Sequence, residues 1–126
     1  MPVVIERWRG SASGRSRAVA LGQLGWVVAN ASDESKSLRQ QVDSTLANLD
    51  ARLGEIGSSR SQLLSVQVFL SSIKAKAQFD AAWERWIGPN PQDWPQRACV
   101  GVALSGGLLV EVVAVAVRSP AALTSE

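Results

Sequence analysis

Apolar and polar residues alternate in short runs over the first thirty positions, recur every three or four residues through the middle, and alternate again towards the C-terminus. The runs VVIERW (3–8), RAVAL (17–21) and LGWVVANAS (24–32) read as strands, with RGSASGRS as a Gly- and Ser-rich loop between the first two. Three strands in succession predict an antiparallel meander. Ser32, Asp33 and Glu34 then open a helix, offering a side-chain cap and acidic groups at the positive end of the helix dipole. Leu38, Val42, Leu46, Leu49, Leu53 and Ile56 share one face of that helix, and Gly57 ends it. QLLSVQVFL (62–70) predicts a fourth strand, with Leu64, Val66, Val68 and Leu70 on one side and Leu63, Ser65, Gln67 and Phe69 on the other. A second helix covers roughly Ile73 to Ile87 with a stripe of Phe79, Ala82, Trp83, Trp86 and Ile87, and GPNPQDWP (88–95) is a rigid, proline-rich connector.

The remaining apolar stretch splits at SGG (105–107) into RACVGVAL and LLVEVVAVAV, which predicts a closing hairpin. The order is βββαβαββ, an α+β fold read as one domain over residues 1–126. Two helices, each about 10 Å across, cover one face of a six-stranded sheet whose strands lie about 4.8 Å apart, but not both faces. Yet LLVEVVAVAV is apolar at odd and even positions alike, the pattern of a strand buried on both sides. With no residues left to cover the second face, self-association is expected.

Composition changes this picture mainly by exclusion. The 126 residues are 46% hydrophobic and 19% charged, ordinary for a folded protein, with a formal charge of +2. The basic residues are scattered apart from Arg7, Arg9, Arg15 and Arg17, so no nucleic-acid partner is expected. Neither a secretion signal nor a membrane span is read from the pattern, and a single cysteine suits a reducing compartment, which makes the cytoplasm the expected location. There is no histidine and no tyrosine. Histidine-based triads, bases and zinc sites are thereby excluded within one chain, and one cysteine builds no thiolate metal site.

What is left for chemistry is carboxylates, arginines, hydroxyls, Cys99 and the backbone. The apolar stretch over residues 95–117 carries only two charges, Arg97 and Glu111. Arg97, at the start of a strand, is either a surface arginine or a planar clamp for a carboxylate. A carboxylate within a strand buried on both sides is costly unless paired or wet, so Glu111 is either one half of a salt bridge, with Arg97 as a candidate partner, or a group poised for proton transfer. Cys99 shares a side of the strand with Arg97. Its thiol reads as a small hydrophobe, while its backbone is free to hold a ligand that Arg97 binds.

The segment PQRACVGVAL…GGLLVEVVAVAV resembles the C-terminal signature of the RidA (YjgF-type) family, Pro-x-Arg-x-x-Val, a short turn, then Val/Ile-Glu-Val/Ile-x-Ala. QQVDSTLANLDARLGEIGSSRSQLLSVQVFLSSI is similar to that family's helix and following strand, and SRAV (16–19) to its Ser-Gln-Ala-Val. The resemblance implies a chorismate-mutase-like fold, assembled as a homotrimer whose sheets form a central barrel with ligand clefts between subunits. It implies hydrolysis of reactive enamines and imines, such as 2-aminoacrylate and 2-iminopropanoate, to 2-oxo acids and ammonia, with no metal or organic cofactor. Carried over by position, Arg97 binds the substrate carboxylate, Glu111 orients or deprotonates the attacking water, and the Cys99 backbone holds the far end of the ligand.

This chain departs from the pattern around the implied cleft. Arg15 stands about where many members have tyrosine, Arg17 replaces glutamine, and Asn30 or Ser32 falls where members have Ser-Gly. Asp80 and Trp83 fall at a cleft position that varies among members. These changes alter the pocket wall and leave the two principal charges in place. The alternative to a deaminase is a non-enzymatic trimer of the same fold that binds a small carboxylate or regulates a partner. A chorismate mutase is a third option, for which one arginine clamp meets half the needs of a dicarboxylate substrate.

Overall fold

A computed structural model describes residues 3–119. Its strands are β1 (Ile5–Arg9), β2 (Ser16–Leu21), β3 (Leu24–Asn30), β4 (Leu63–Leu70), β5 (Gln96–Gly101) and β6 (Val110–Val117), and its helices are α1 (Leu38–Glu55) and α2 (Lys76–Ile87). The expected βββαβαββ order and α+β class are what forms. The six strands make one mixed sheet in the order β1-β2-β3-β6-β4-β5, with only β4 and β5 parallel.

Both helices lie on one face of the sheet. Ala18, Ala20, Val27, Ala29, Val66, Val68, Leu70, Val110, Val112, Ala114 and Ala116 point to that face and are buried. They meet Val42, Leu46, Leu49, Leu53 and Ile56 from α1 and Phe79, Ala82, Trp83 and Ile87 from α2, the stripes expected from periodicity. Each fully buried leucine or phenylalanine contributes on the order of 1.5–3 kcal/mol through removal from water. Gly25 lets the end of α1 settle on β3, because a Cβ there would stand 2.3 Å from Ile56 Cδ1. Across the two helices, the Asp50 carboxylate accepts two hydrogen bonds from Arg60 and one from the Trp86 indole.

The opening of α1 differs from expectation. Its cap is Ser37, whose hydroxyl accepts from the Gln40 backbone while the Gln40 side chain accepts from the Ser37 backbone. This reciprocal box leaves Ser32, Asp33 and Glu34 outside the helix, where Asp33 instead accepts from the backbone and hydroxyl of Ser35. The C-terminus follows the glycine signal. Gly57 has φ +85°, Ser58 N–H donates to Leu53 C=O and Gly57 N–H to Gly54 C=O, the paired bonds of a Schellman ending.

The closing hairpin does not form. β4 lies between β5 and β6, so residues 102–109 cross the end of β4 instead of making a tight turn. Gln41, fully buried on α1, pins this crossing: its amide donates to the carbonyls of Glu34, Lys36 and Gly107 and its oxygen accepts from Leu109 N–H. Two register shifts matter further. An extra residue in β2 at Arg17 turns its side chain to the helix side, where it pairs with Glu55. A second shift in β4 at Leu64 buries Leu63 and leaves Leu64 exposed, against the simple alternation expected there.

The other face of the sheet stays open. Leu24, Trp26, Val28 and Leu64 are 37–47% exposed on it, and Val113, Val115 and Val117 are only half-buried. This uncovered apolar face is the one over which the sequence leads one to expect self-association.

Candidate functional site

Register places Arg97 and Glu111 on opposite faces of the sheet. Arg97 pairs across the ladder with buried Val66, so it points to the helix side; Glu111 pairs with Phe69 and Asn30, so it points to the open side. Two strand spacings, on the order of 10 Å, also separate β5 from β6. An Arg97–Glu111 salt bridge within the chain is therefore excluded, and its physical cause is the insertion of β4 that also removes the hairpin.

Around Arg97 the helix side supplies a fitted seat. Phe79 and Trp83, one turn apart on α2, are stacked at 6.2 Å, and the guanidinium lies 5.6 Å and 5.4 Å from their ring centroids. Asp80, between them in sequence, accepts a hydrogen bond of 2.5 Å from Arg97 Nη2 and one of 2.7 Å from Lys76 Nζ. Burial raises the Asp80 pKa, but the hydrogen bonds from Lys76 and Arg97 outweigh it and hold the carboxyl below its ordinary value. One N–H of Arg97 is used in this way, and a guanidinium has five. The seat opens into a cleft of about 660 Å³, lined on its apolar side by Trp83, Ile87, Pro89, Trp94 and Pro95.

Cys99 lies on the same side as Arg97, as the spacing predicts, and packs against the core. Burial pushes its thiol up and the nearby Arg97 pulls it back only in part. A thiol held protonated is a poor nucleophile, which fits its reading as a small hydrophobe.

Glu111 has a different setting. Its carboxylate accepts from Asn30 Nδ2 at 3.3 Å, and Asn48 donates to the Asn30 carbonyl at 2.8 Å and to Ser32 Oγ at 3.0 Å. Asn30 thus orients Glu111, while Ser32 turns towards α1. Arg15 lies on the open side as well, near Arg7 and Arg9 around a shallow depression of about 390 Å³. The structure therefore gathers Arg97, Cys99, Asp80 and Trp83 at one place, Glu111 and Asn30 at a second, and Arg15 at a third. Among the described residues, no three His, Cys, Asp or Glu side chains converge in a way that could hold a metal ion.

Trp94 and Gln41 were not singled out from sequence. Trp94 lies in the proline-rich connector, and a tryptophan three residues before a lone arginine is a readable signal. Gln41 interrupts the apolar stripe of α1, a polar residue where only a partner explains burial.

Comparison with known proteins extends this geometry. A structure from Pseudomonas aeruginosa superposes with a TM-score of 0.83 at 30% identity, covering 92% of this chain and 100% of that one. A member of the YjgF protein family from Neisseria meningitidis also gives 0.83, at 24% identity over 94% of this chain and 98% of that one. RutC family proteins from Haemophilus ducreyi and Haemophilus influenzae are 30% and 35% identical over 58% and 52% of this chain, and the matched segments span 61% and 55% of those relatives. Residues 3–118 match the family model described as Endoribonuclease L-PSP. The Arg97 and Glu111 signature and the sheet that carries it thus lead to one conclusion: the chain belongs to the L-PSP family, also called YjgF/RidA.

Proposed function

We propose that this protein hydrolyses reactive 2-imino acids and their enamine tautomers to 2-oxo acids and ammonia, in clefts completed between copies of the chain. The observation that carries the proposal is the seating of Arg97: an always-charged, planar donor fixed on two aromatic rings at the floor of a cleft, with N–H groups to spare. The separation of Glu111 from Arg97 supports the assembly. One chain offers a carboxylate clamp and a carboxylate base on opposite faces, and its open apolar face calls for a second copy. In a trimer whose sheets surround a common axis, Glu111 and Asn30 of one subunit face the Arg97 cleft of the next.

The chemistry asks little beyond positioning. Arg97 holds the carboxylate of the iminium form, and the backbone at Cys99 holds the far end of the ligand. Glu111, oriented by Asn30, takes a proton as water adds to C2, giving a carbinolamine. The proton passes to nitrogen, Glu111 takes the C2 hydroxyl proton as the C–N bond breaks and the carbonyl forms, and the departing ammonia picks that proton up. Water and iminium ion thus become 2-oxo acid and ammonium ion. Because the imine carbon is already electrophilic, fixing the acid group and aiming one water supply most of the rate.

Ammonia or 2-oxo acid release from freshly generated 2-imino acids, compared with Arg97→Ala, tests the reading; equal rates in the two proteins would sink it. The second reading, a carboxylate-binding trimer without turnover, draws on the existing Asp80 contact, which already occupies part of Arg97. Arg97-dependent binding of 2-oxo acids, with no hydrolysis of any 2-imino acid, would favour it.

A further inference from the structure

We propose that the Arg97 cleft selects acids with a bulky apolar side chain, an aromatic ring fitting best, and that Trp94 together with Trp83 sets this preference. The proposal rests on Arg97 as the group that holds the ligand carboxylate and adds the chemistry of the ligand's other end. In the single chain the cleft measures about 660 Å³, within the range of sites for ligands much larger than a three-carbon acid.

The walls divide by chemistry. Asp80, Glu84, Arg85 and Arg97 supply the charge, whereas the connector contributes Trp94 and Pro95 and the end of α2 contributes Trp83 and Ile87. Trp94 is 54% exposed, yet its indole N–H donates to the Gly88 carbonyl at 2.9 Å, so the ring is held rather than free to turn. Pro89 and Pro91 between Gly88 and Trp94, and Pro95 just after Trp94, stiffen the segment that carries the ring. A fixed, exposed indole beside an arginine with unused N–H groups is complementary to a molecule with a carboxylate at one end and a flat apolar group at the other. Asp80 stays clear of that role. It is tied to Lys76 as well as Arg97, and its charge disfavours a second acid group in the cleft.

The test is calorimetric binding of pyruvate, 4-methyl-2-oxopentanoate and phenylpyruvate to the wild type, Trp94→Ala, Trp94→Phe and Arg97→Ala. Phenylpyruvate binds the wild type about tenfold more tightly than pyruvate, with the branched acid between them. Trp94→Ala removes that difference by weakening phenylpyruvate far more than pyruvate, Trp94→Phe keeps most of it, and Arg97→Ala weakens all three acids. Equal affinities in the wild type, a preference unchanged in Trp94→Ala, or phenylpyruvate binding that survives Arg97→Ala would overturn the proposal. Failure of the deaminase reading shows itself separately: the aromatic preference persists in binding while no 2-imino acid is hydrolysed.

Discussion

The two faces of this sheet are built from the same strands and meet opposite fates. On the helix side, β3, β4 and β6 alternate into full burial, with Val68, Leu70, Val110 and Val112 all at 0% exposure. On the open side, the intervening residues of those strands are nearly as apolar, yet Trp26, Val28 and Leu64 remain 37–47% exposed. Arg97 belongs to the first face and is held by packing; Glu111 belongs to the second, where Asn30 is its only direct side-chain partner among the described residues. One half of the proposed site is finished within the chain, and the other half faces outward.

The sharpest way to probe that contrast is to damage the finished face. Phe79→Ala removes a fully buried ring that also supports Arg97, and it should cost about 3–5 kcal/mol in urea denaturation. A loss below about 1 kcal/mol would mean that this face is not the core. On the open face, Val115→Asp places a charge where a second copy is expected. Light scattering should show assemblies giving way to monomers, whereas an unchanged mass would remove the open face from the interface.

Smaller effects separate the connections between the faces. Gln41→Ala leaves Leu109 N–H and the Gly107 carbonyl without their partner and should cost about 1–3 kcal/mol, read as a lower melting temperature. Asp80→Asn tests the weakest link. The folded Asp80 carboxyl has a lowered pKa, so its stabilising contribution is fully present above the ordinary value of 3.8 and is lost as pH falls through the lower folded value. The melting temperature of the wild type relative to Asp80→Asn should therefore fall on acidification below pH 3.8. A difference that stays constant across that range would contradict the ion-pair arrangement.

The sequence carried the elements well because each reports on its own neighbours. The stripe on α1 from Val42 to Ile56, the β3 and β6 runs and the glycine ending at Gly57 were all readable from local spacing. Pairing between distant strands was not. SGG looks like a hairpin turn, and nothing in residues 96–117 records that β4, some thirty residues earlier, inserts between the two strands. The same limit hid the faces. Arg97 and Glu111 were legible as the two unusual charges, but only register shows that they point apart. The side that Arg17 takes was hidden for a related reason, since one extra residue in β2 reverses its side chain.

The central claim is that Arg97 of one chain and Glu111 of another form a single site, and subunit mixing tests it most directly. Arg97→Ala and Glu111→Gln, each inactive alone, are co-expressed and the mixed assemblies isolated with two affinity tags. If the two groups act from different chains, every mixed ring restores one junction with both native residues, and 2-imino acid hydrolysis returns. Mixed assemblies that form and stay as inactive as their parents would contradict the account.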